Sequence, residues 1–210
     1  MNLASIKALI FDLDGVLIES NKMRDDAFVH IFSSIGSYDT NRVLQIHRSN
    51  RGMYRKNKIS LIYHNIFQKE PSEILLQELL EKFSNYIKEH IIRCPKVPEA
   101  LEFLDSQKDK YLFIVSSAAQ NEVLWIAEYH KIYRFFKGIF GGPTDKKTRI
   151  EEILRINHYQ PSEVIFIGDQ ISDFKTAQET GINFIGRIPH DLKNPFPMGI
   201  PVFCDFHEII

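Results

Sequence analysis

Cysteine is nearly missing from this chain of 210 residues, which has only Cys94 and Cys204. Two isolated thiols are too few for a zinc site or a disulfide framework, and reduced cytosolic thiols are the default reading. No apolar run approaches the roughly 20 residues that span a bilayer. The N-terminal stretch is not a convincing signal peptide, because its apolar run carries Asp12 and Asp14 and lacks a small-residue cleavage site. A cytoplasmic protein is expected. Charge of one sign is not in excess either. The net charge of −1 leaves no global field to favour nucleic acid or an acidic membrane surface. Internal repeats and low-complexity segments are absent. The remainder is an ordinary globular composition, 44% hydrophobic and 25% charged. Its length suits one large domain or a core with a smaller insertion.

What is present begins with two aspartates one residue apart, Asp12 and Asp14, inside an apolar run from Ile6 to Ile18. An unpaired carboxylate taken out of water costs several kcal/mol, and two close together also repel each other. A bound cation is the commonest reason to keep such a pair. Asp14-Gly15 between apolar runs is also a hairpin-turn signal. That reading leaves Asp12 stranded in the first strand. It also needs a return strand where Met23, Ala27, Phe28, Ile31 and Phe32 follow helical spacing. Strand, acidic turn and helix is the better parse.

Three regions follow from pattern. Residues 6–12 read as a buried strand. Residues from about 18 to 94 read as helical throughout, with Pro71-Ser72 near the start of one helix. After Cys94-Pro95 the pattern alternates. A helix from Pro98 precedes a strand at 111–115, a helix at 121–129 and a short strand at 138–140. A helix at 147–157, a strand at 164–167, a helix at 172–180 and a strand at 182–185 follow, with a last edge strand at 202–204. Short unbroken apolar strands between helices imply a parallel sheet covered on both faces. The expected fold class is therefore α/β: a Rossmann-like three-layer α/β/α core with a parallel sheet, over 1–17 and 95–210. An all-helical domain is inserted at 18–94. Ligands of such sheets bind beyond the carboxyl ends of the strands. Asp12, Ser116, Ser117 and Asp169 all fall at strand ends, with Asp173 four residues after Asp169.

These residues, in order, resemble the four motifs of the haloacid dehalogenase superfamily. The first is Phe11-Asp12-Leu13-Asp14-Gly15-Val16-Leu17 and the second Phe113-Ile114-Val115-Ser116-Ser117. The third is a lysine, best matched by Lys146, although Lys147 beside it blurs the assignment. The fourth is Phe166-Ile167-Gly168-Asp169-Gln170-Ile171-Ser172-Asp173. The nearest subgroup in pattern is that of phosphoglycolate phosphatase and beta-phosphoglucomutase. The resemblance implies that Asp12 is a nucleophile forming an aspartyl-phosphate and Asp14 a general acid and base. It implies Mg2+ as cofactor, held by Asp12, the carbonyl of Asp14, Asp169 and Asp173. Ser116, Ser117 and Lys146 would bind the transferring phosphoryl group. Without the resemblance, Ser116 and Asp173 read as helix-capping residues and Lys146 as a solvated lysine at a helix start.

The helical insertion looks like this superfamily's cap, which would exclude water and meet the substrate away from phosphorus. Gly52 allows close approach or a break between helices. Arg55 is the candidate clamp for a second anionic or polyhydroxyl group. His47 reads as a surface residue. The expected function is a magnesium-dependent phosphatase acting on a small phosphorylated metabolite, a sugar phosphate or a phosphoglycolate-like acid. A phosphomutase is the alternative. A dehalogenase fits less well, because it needs neither Asp14 nor the Asp169–Asp173 pair. A catalytically idle binding fold should have lost Asp12, Asp14 or Lys146. No nucleic-acid or membrane partner is expected, and monomer and dimer are both compatible with the sequence.

Overall fold

In a computed structural model, which describes residues 5–36 and 38–209, the short apolar runs become six parallel strands. They are β1 (Ala8–Phe11), β2 (Tyr111–Ala119), β3 (Gly138–Gly142), β4 (Val164–Gly168), β5 (Asn183–Arg187) and β6 (Val202–Phe203). The sheet order is β3-β2-β1-β4-β5-β6, with every pair parallel. The chain thus moves outward from β1 through β2 to β3, then returns to the other side of β1 for β4. That reversal is where a doubly wound sheet opens its ligand crevice.

The strands are apolar without alternation because both faces are covered. Ala8 and Ile10 pack with Phe113, Val115 and Phe166 against Ile150 and Ile153 of one helix and Ala177 of another. On the opposite face the Phe11 ring meets Phe103 edge-on at 6.2 Å and Phe136 at 5.9 Å. Phe103 in turn stacks on Phe206 at 4.8 Å. The helices flanking the sheet are α5 (Ala100–Ser106), α6 (Gln120–Tyr129), α7 (Lys146–Asn157) and α8 (Ile171–Thr180).

The chain separates into two compact units, Met1–Glu19 with Lys96–Ile210, and Ser20–Pro95. The second is the helical insertion after β1: α1 (Asn21–Ser33), α2 (Thr40–Ser49), α3 (Arg55–Phe67) and α4 (Glu73–His90). Ser72 caps α4 by accepting the Leu75 N–H at 3.2 Å. The insertion is not helical throughout, since residues 50–54 form a turn containing Gly52. Asn50 closes α2 there, its side-chain amide donating to the Ile46 carbonyl at 2.8 Å. The interior is aromatic and aliphatic, with Phe28 against Phe83 at 4.8 Å among buried Ile31, Val43, Ile59, Ile62 and Leu79. Among the described residues, no helix is long and apolar enough to cross a membrane.

Candidate active site

Asp12 follows β1 directly. Phe11 pairs with Ile114 of β2 and Ile167 of β4, so Asp12 leaves the sheet between two strand ends. Its N–H donates to the Ile167 carbonyl at 2.9 Å. Both carboxylate oxygens are engaged, Oδ1 by the Leu13 N–H at 2.7 Å and Oδ2 by Lys146 Nζ at 2.7 Å.

Lys146 is the first residue of α7. Asp145 fixes that helix start by accepting the Thr148 N–H at 2.9 Å, an N-cap that positions the next side chain. Lys146 is buried, and its Nζ also donates to Asp173 Oδ1 at 2.7 Å. Lys147 takes the other course. It is half exposed and pairs with Glu179 at 3.4 Å. Geometry therefore separates two lysines that sequence left adjacent and ambiguous.

Asp173 lies in the first turn of α8 with none of its surface exposed. Its Oδ2 accepts the Gln170 N–H at 3.1 Å as part of a capping box. It is thus both a cap and a partner of Lys146. Gly168 makes this position available, because a Cβ there would lie 2.5 Å from Asp173 Cβ. Asp169 is the first residue after β4, buried, with Oδ2 accepting from the Gln170 side chain. One carboxylate oxygen from each of Asp12, Asp169 and Asp173 lies within 4.8 Å of the others, so the cluster offers a metal ion three oxygen donors.

Asp14 is half-buried in a turn in which the Leu13 carbonyl accepts from Leu17 and Ile18 N–H at 3.0 and 3.1 Å. Gly15 carries φ +76°, a conformation that favours glycine. The turn expected of Asp14-Gly15 exists, but it leads into α1 and not into a return strand. Ser116 is buried and its Oγ accepts the Ala118 N–H at 3.2 Å. Ser117 is half-buried. The strand does not end at these serines. β2 continues to Ala119, with a register shift against β3 between Val115 and Ala119, because pairing with Gly142 carries the polar segment onward.

Electrostatics give the cluster its character. Of three buried carboxylates, Asp12 and Asp173 pair with the one buried ammonium of Lys146. Burial pushes Asp12 up to about 8, Lys146 opposes that rise, and Asp173, Asp169 and Asp14 add to it by repulsion. Burial also works against the Lys146 ammonium, but Asp12 and Asp173 outweigh it and raise its pKa. Ionisation of Asp12 is thus opposed by burial and by its acidic neighbours beyond what Lys146 offsets. A divalent cation at these carboxylates would favour their ionised forms, and an all-oxygen donor set suits magnesium.

In the helical unit, Arg55 opens α3 and is buried. Its guanidinium carbon sits 4.3 Å from the Phe83 ring centroid and Nη1 donates to Ser84 Oγ at 3.1 Å. His47 is not a surface residue. It is 3% exposed, stacked on Phe28 at 4.2 Å, with Nε2 3.1 Å from Asp25 Oδ1. The reason is Asp25, a buried carboxylate missed from sequence, which also binds Arg48 Nη2 at 2.7 Å and Arg51 Nη2 at 2.9 Å. Arg187 was missed too. It ends β5 with its side chain 2% exposed. Its Nε donates to the Cys204 carbonyl at 2.8 Å and Nη1 to Glu19 Oε2 at 2.9 Å and the Gly15 carbonyl at 3.2 Å. For Arg187 the available signal was a charge within the apolar stretch from Phe184 to Ile188, whereas Asp25, flanked by Arg24 and Asp26, offered none.

The family model described as haloacid dehalogenase-like hydrolase matches residues 9–187. A phosphorylated carbohydrates phosphatase of Thermotoga maritima is 25% identical over 195 residues, 90% of this chain and 88% of that protein. A phosphoglycolate phosphatase of Aquifex aeolicus is 27% identical over 184 residues, 84% and 82% of the two chains. Among solved structures, a predicted phosphoglycolate phosphatase of Haemophilus somnus has a TM-score of 0.79 at 19% identity, over 98% of this chain and 96% of the other. That last likeness concerns the fold.

Proposed function

Because the chain belongs to the haloacid dehalogenase-like hydrolase family, we propose that it is a magnesium-dependent phosphatase of small phosphorylated metabolites. The class we favour is sugar phosphates and phosphoglycolate-like acids. One observation carries the reading: Asp12, at the end of β1, holds Lys146 at 2.7 Å beside Asp169 and Asp173. Curated relatives that act as phosphatases support it.

In this reading an Asp12 carboxylate oxygen attacks phosphorus and the ester P–O bond breaks, leaving an aspartyl-phosphate. Asp14 gives its proton to the departing alkoxide. Asp14 then takes a proton from water as the water attacks phosphorus, which releases phosphate and restores Asp12. Lys146 and the Ser116 and Ser117 hydroxyls stabilise charge on the phosphoryl oxygens. Asp12, the Asp14 carbonyl, Asp169 and Asp173 would hold Mg2+, which supplies charge neutralisation for the phosphoryl group. Arg55 and Gly52 are assigned to the part of the substrate remote from phosphorus.

Phosphate release from a panel of sugar phosphates and short phospho-acids, with Mg2+ and with chelator, tests this. Turnover should require Mg2+ and disappear in Asp12→Asn. Inactivity on the whole panel, or undiminished turnover in Asp12→Asn, would overturn it. Arg55→Ala should raise KM about tenfold or more, as loss of a charged contact does. An unchanged KM removes Arg55 from the substrate.

A further inference from the structure

We propose that His190, Cys204 and Glu208 form a second metal site, for a borderline divalent cation of the zinc class. One donor atom from each residue, a ring nitrogen, Sγ and a carboxylate oxygen, lies within 4.8 Å of the others. Counted along the sequence, two isolated cysteines are too few for a zinc site. Folding gives Cys204 two neighbours of different chemistry instead.

Local structure builds this cluster. β5 and β6 pair through Gly186–Val202 and Arg187–Phe203, and the Ile188 N–H donates to the Phe203 carbonyl at 2.9 Å. These bonds bring the segment that ends at His190 alongside Cys204. The chain then turns through a single 3-10 turn, Phe206–Glu208. The Cys204 N–H donates to Glu208 Oε2 at 3.3 Å, which folds that carboxylate back over the cysteine. The Cys204 carbonyl is held by Arg187 at 2.8 Å. His190 Nε2 lies 3.0 Å from Asp205 Oδ2, and Asp205 is itself mostly buried. A carboxylate that orients a ligating imidazole is the usual outer support of a zinc site.

The donor set selects the cation. Thiolate, imidazole and carboxylate together suit zinc, whose sites with three protein ligands leave a fourth position to water. Magnesium prefers oxygen alone, so this cluster and the aspartate cluster, both among the described residues, suit different cations. On binding, the Cys204 S–H proton passes to solvent as the sulfur–metal bond forms, and His190 binds as the neutral ring. His190 and Glu208 are exposed, so an ion reaches the site from solvent.

Cobalt titration of the intact, metal-stripped protein in excess Mg2+ tests the proposal. Wild type should bind one Co2+ with a thiolate-to-cobalt charge-transfer band and the visible bands of tetrahedral coordination, all abolished by Zn2+. The charge-transfer band should vanish in Cys204→Ser, survive in Cys94→Ser and survive in Asp12→Asn. His190→Ala and Glu208→Gln should weaken binding by about tenfold or more, while circular dichroism reports an intact fold. No charge-transfer band in wild type, a band that persists in Cys204→Ser, or binding lost only in Asp12→Asn would each overturn the second site. The last outcome would leave the phosphatase reading intact.

Discussion

Gly168 illustrates how little tolerance a single residue can have. A Cβ there would stand 2.5 Å from Asp173 Cβ and 2.7 Å from its Oδ2, distances at which one side must move. Overpacking of this kind costs about 1–3 kcal/mol. Gly168→Ala should therefore lower the melting temperature and, by shifting Asp173 away from Lys146, reduce kcat at least tenfold. Wild-type values for both would show that α8 yields freely. Lys146 sets the opposite problem, since its loss leaves Asp12 and Asp173 buried without their cation. Lys146→Met should lose about 3 kcal/mol in urea unfolding under chelation, and Mg2+ should restore part of it. Destabilisation that Mg2+ leaves unchanged would argue against a cation at these aspartates. Asp12 and Asp169 stood out in sequence at the ends of apolar runs, whereas Lys146 and Asp173 were singled out by the family resemblance, since alone they read as a solvated lysine and a helix cap. Arg55 was a sequence candidate, but its burial and that of His47 and Asp25 were not legible. The rings against His47 and Arg55, Phe28 and Phe83, come from helices far apart in sequence, and local pattern does not report a charge laid on an aromatic face.

Packing of one helix against another sets the pH response of the helical unit. Burial lowers the His47 pKa from 6.5 to about 4, although Asp25 works against this. Burial likewise opposes ionisation of Asp25, yet His47, Arg51 and Arg48 outweigh it and hold the carboxyl below its usual range. Between pH 6.5 and 4 the unfolded chain binds a proton at His47 that the folded chain does not. Stability contributed by the neutral imidazole is therefore present above pH 6.5 and lost as pH falls through that window, by about 3 kcal/mol at most. Urea midpoints should drop from pH 7 to pH 4.5 in wild type and drop less in His47→Gln. Equal slopes for the two proteins would refute a buried neutral His47. The same scale explains which elements were legible. Strands sealed on both faces read as unbroken apolar runs, and the bounds of α6 and β4 shifted by only one residue. The extension of β2 was hidden, because Ser116-Ser117 reads as an exit from the sheet and only its partner β3 shows otherwise.

Over the whole chain, the sheet order places the first strand between the second and the fourth, so residues 12 and 169 become neighbours at the reversal of the sheet. Alternating helices and strands announced this class of topology from sequence. The pairing of Arg187 with Glu19, 168 positions apart, could not be announced, because nothing local couples a strand end to a distant turn. Yet that guanidinium joins three segments: the turn that follows Asp14, the end of β5 and the Cys204 carbonyl. Glu19 remains one-third exposed, so solvent screens part of the ion pair, and removing the arginine should cost about 2 kcal/mol. For a chain of this size that corresponds to about 4–8 °C in melting temperature. Arg187→Met should show this loss, together with a lower kcat, because the turn carrying Asp14 loses its tether to β5. Arg187→Lys should recover only part of either, since one ammonium cannot reach Glu19, Gly15 and Cys204 together in the geometry of a guanidinium. A melting temperature and kcat unchanged in Arg187→Met would mean that the turn is held by its own backbone hydrogen bonds to Leu13 alone.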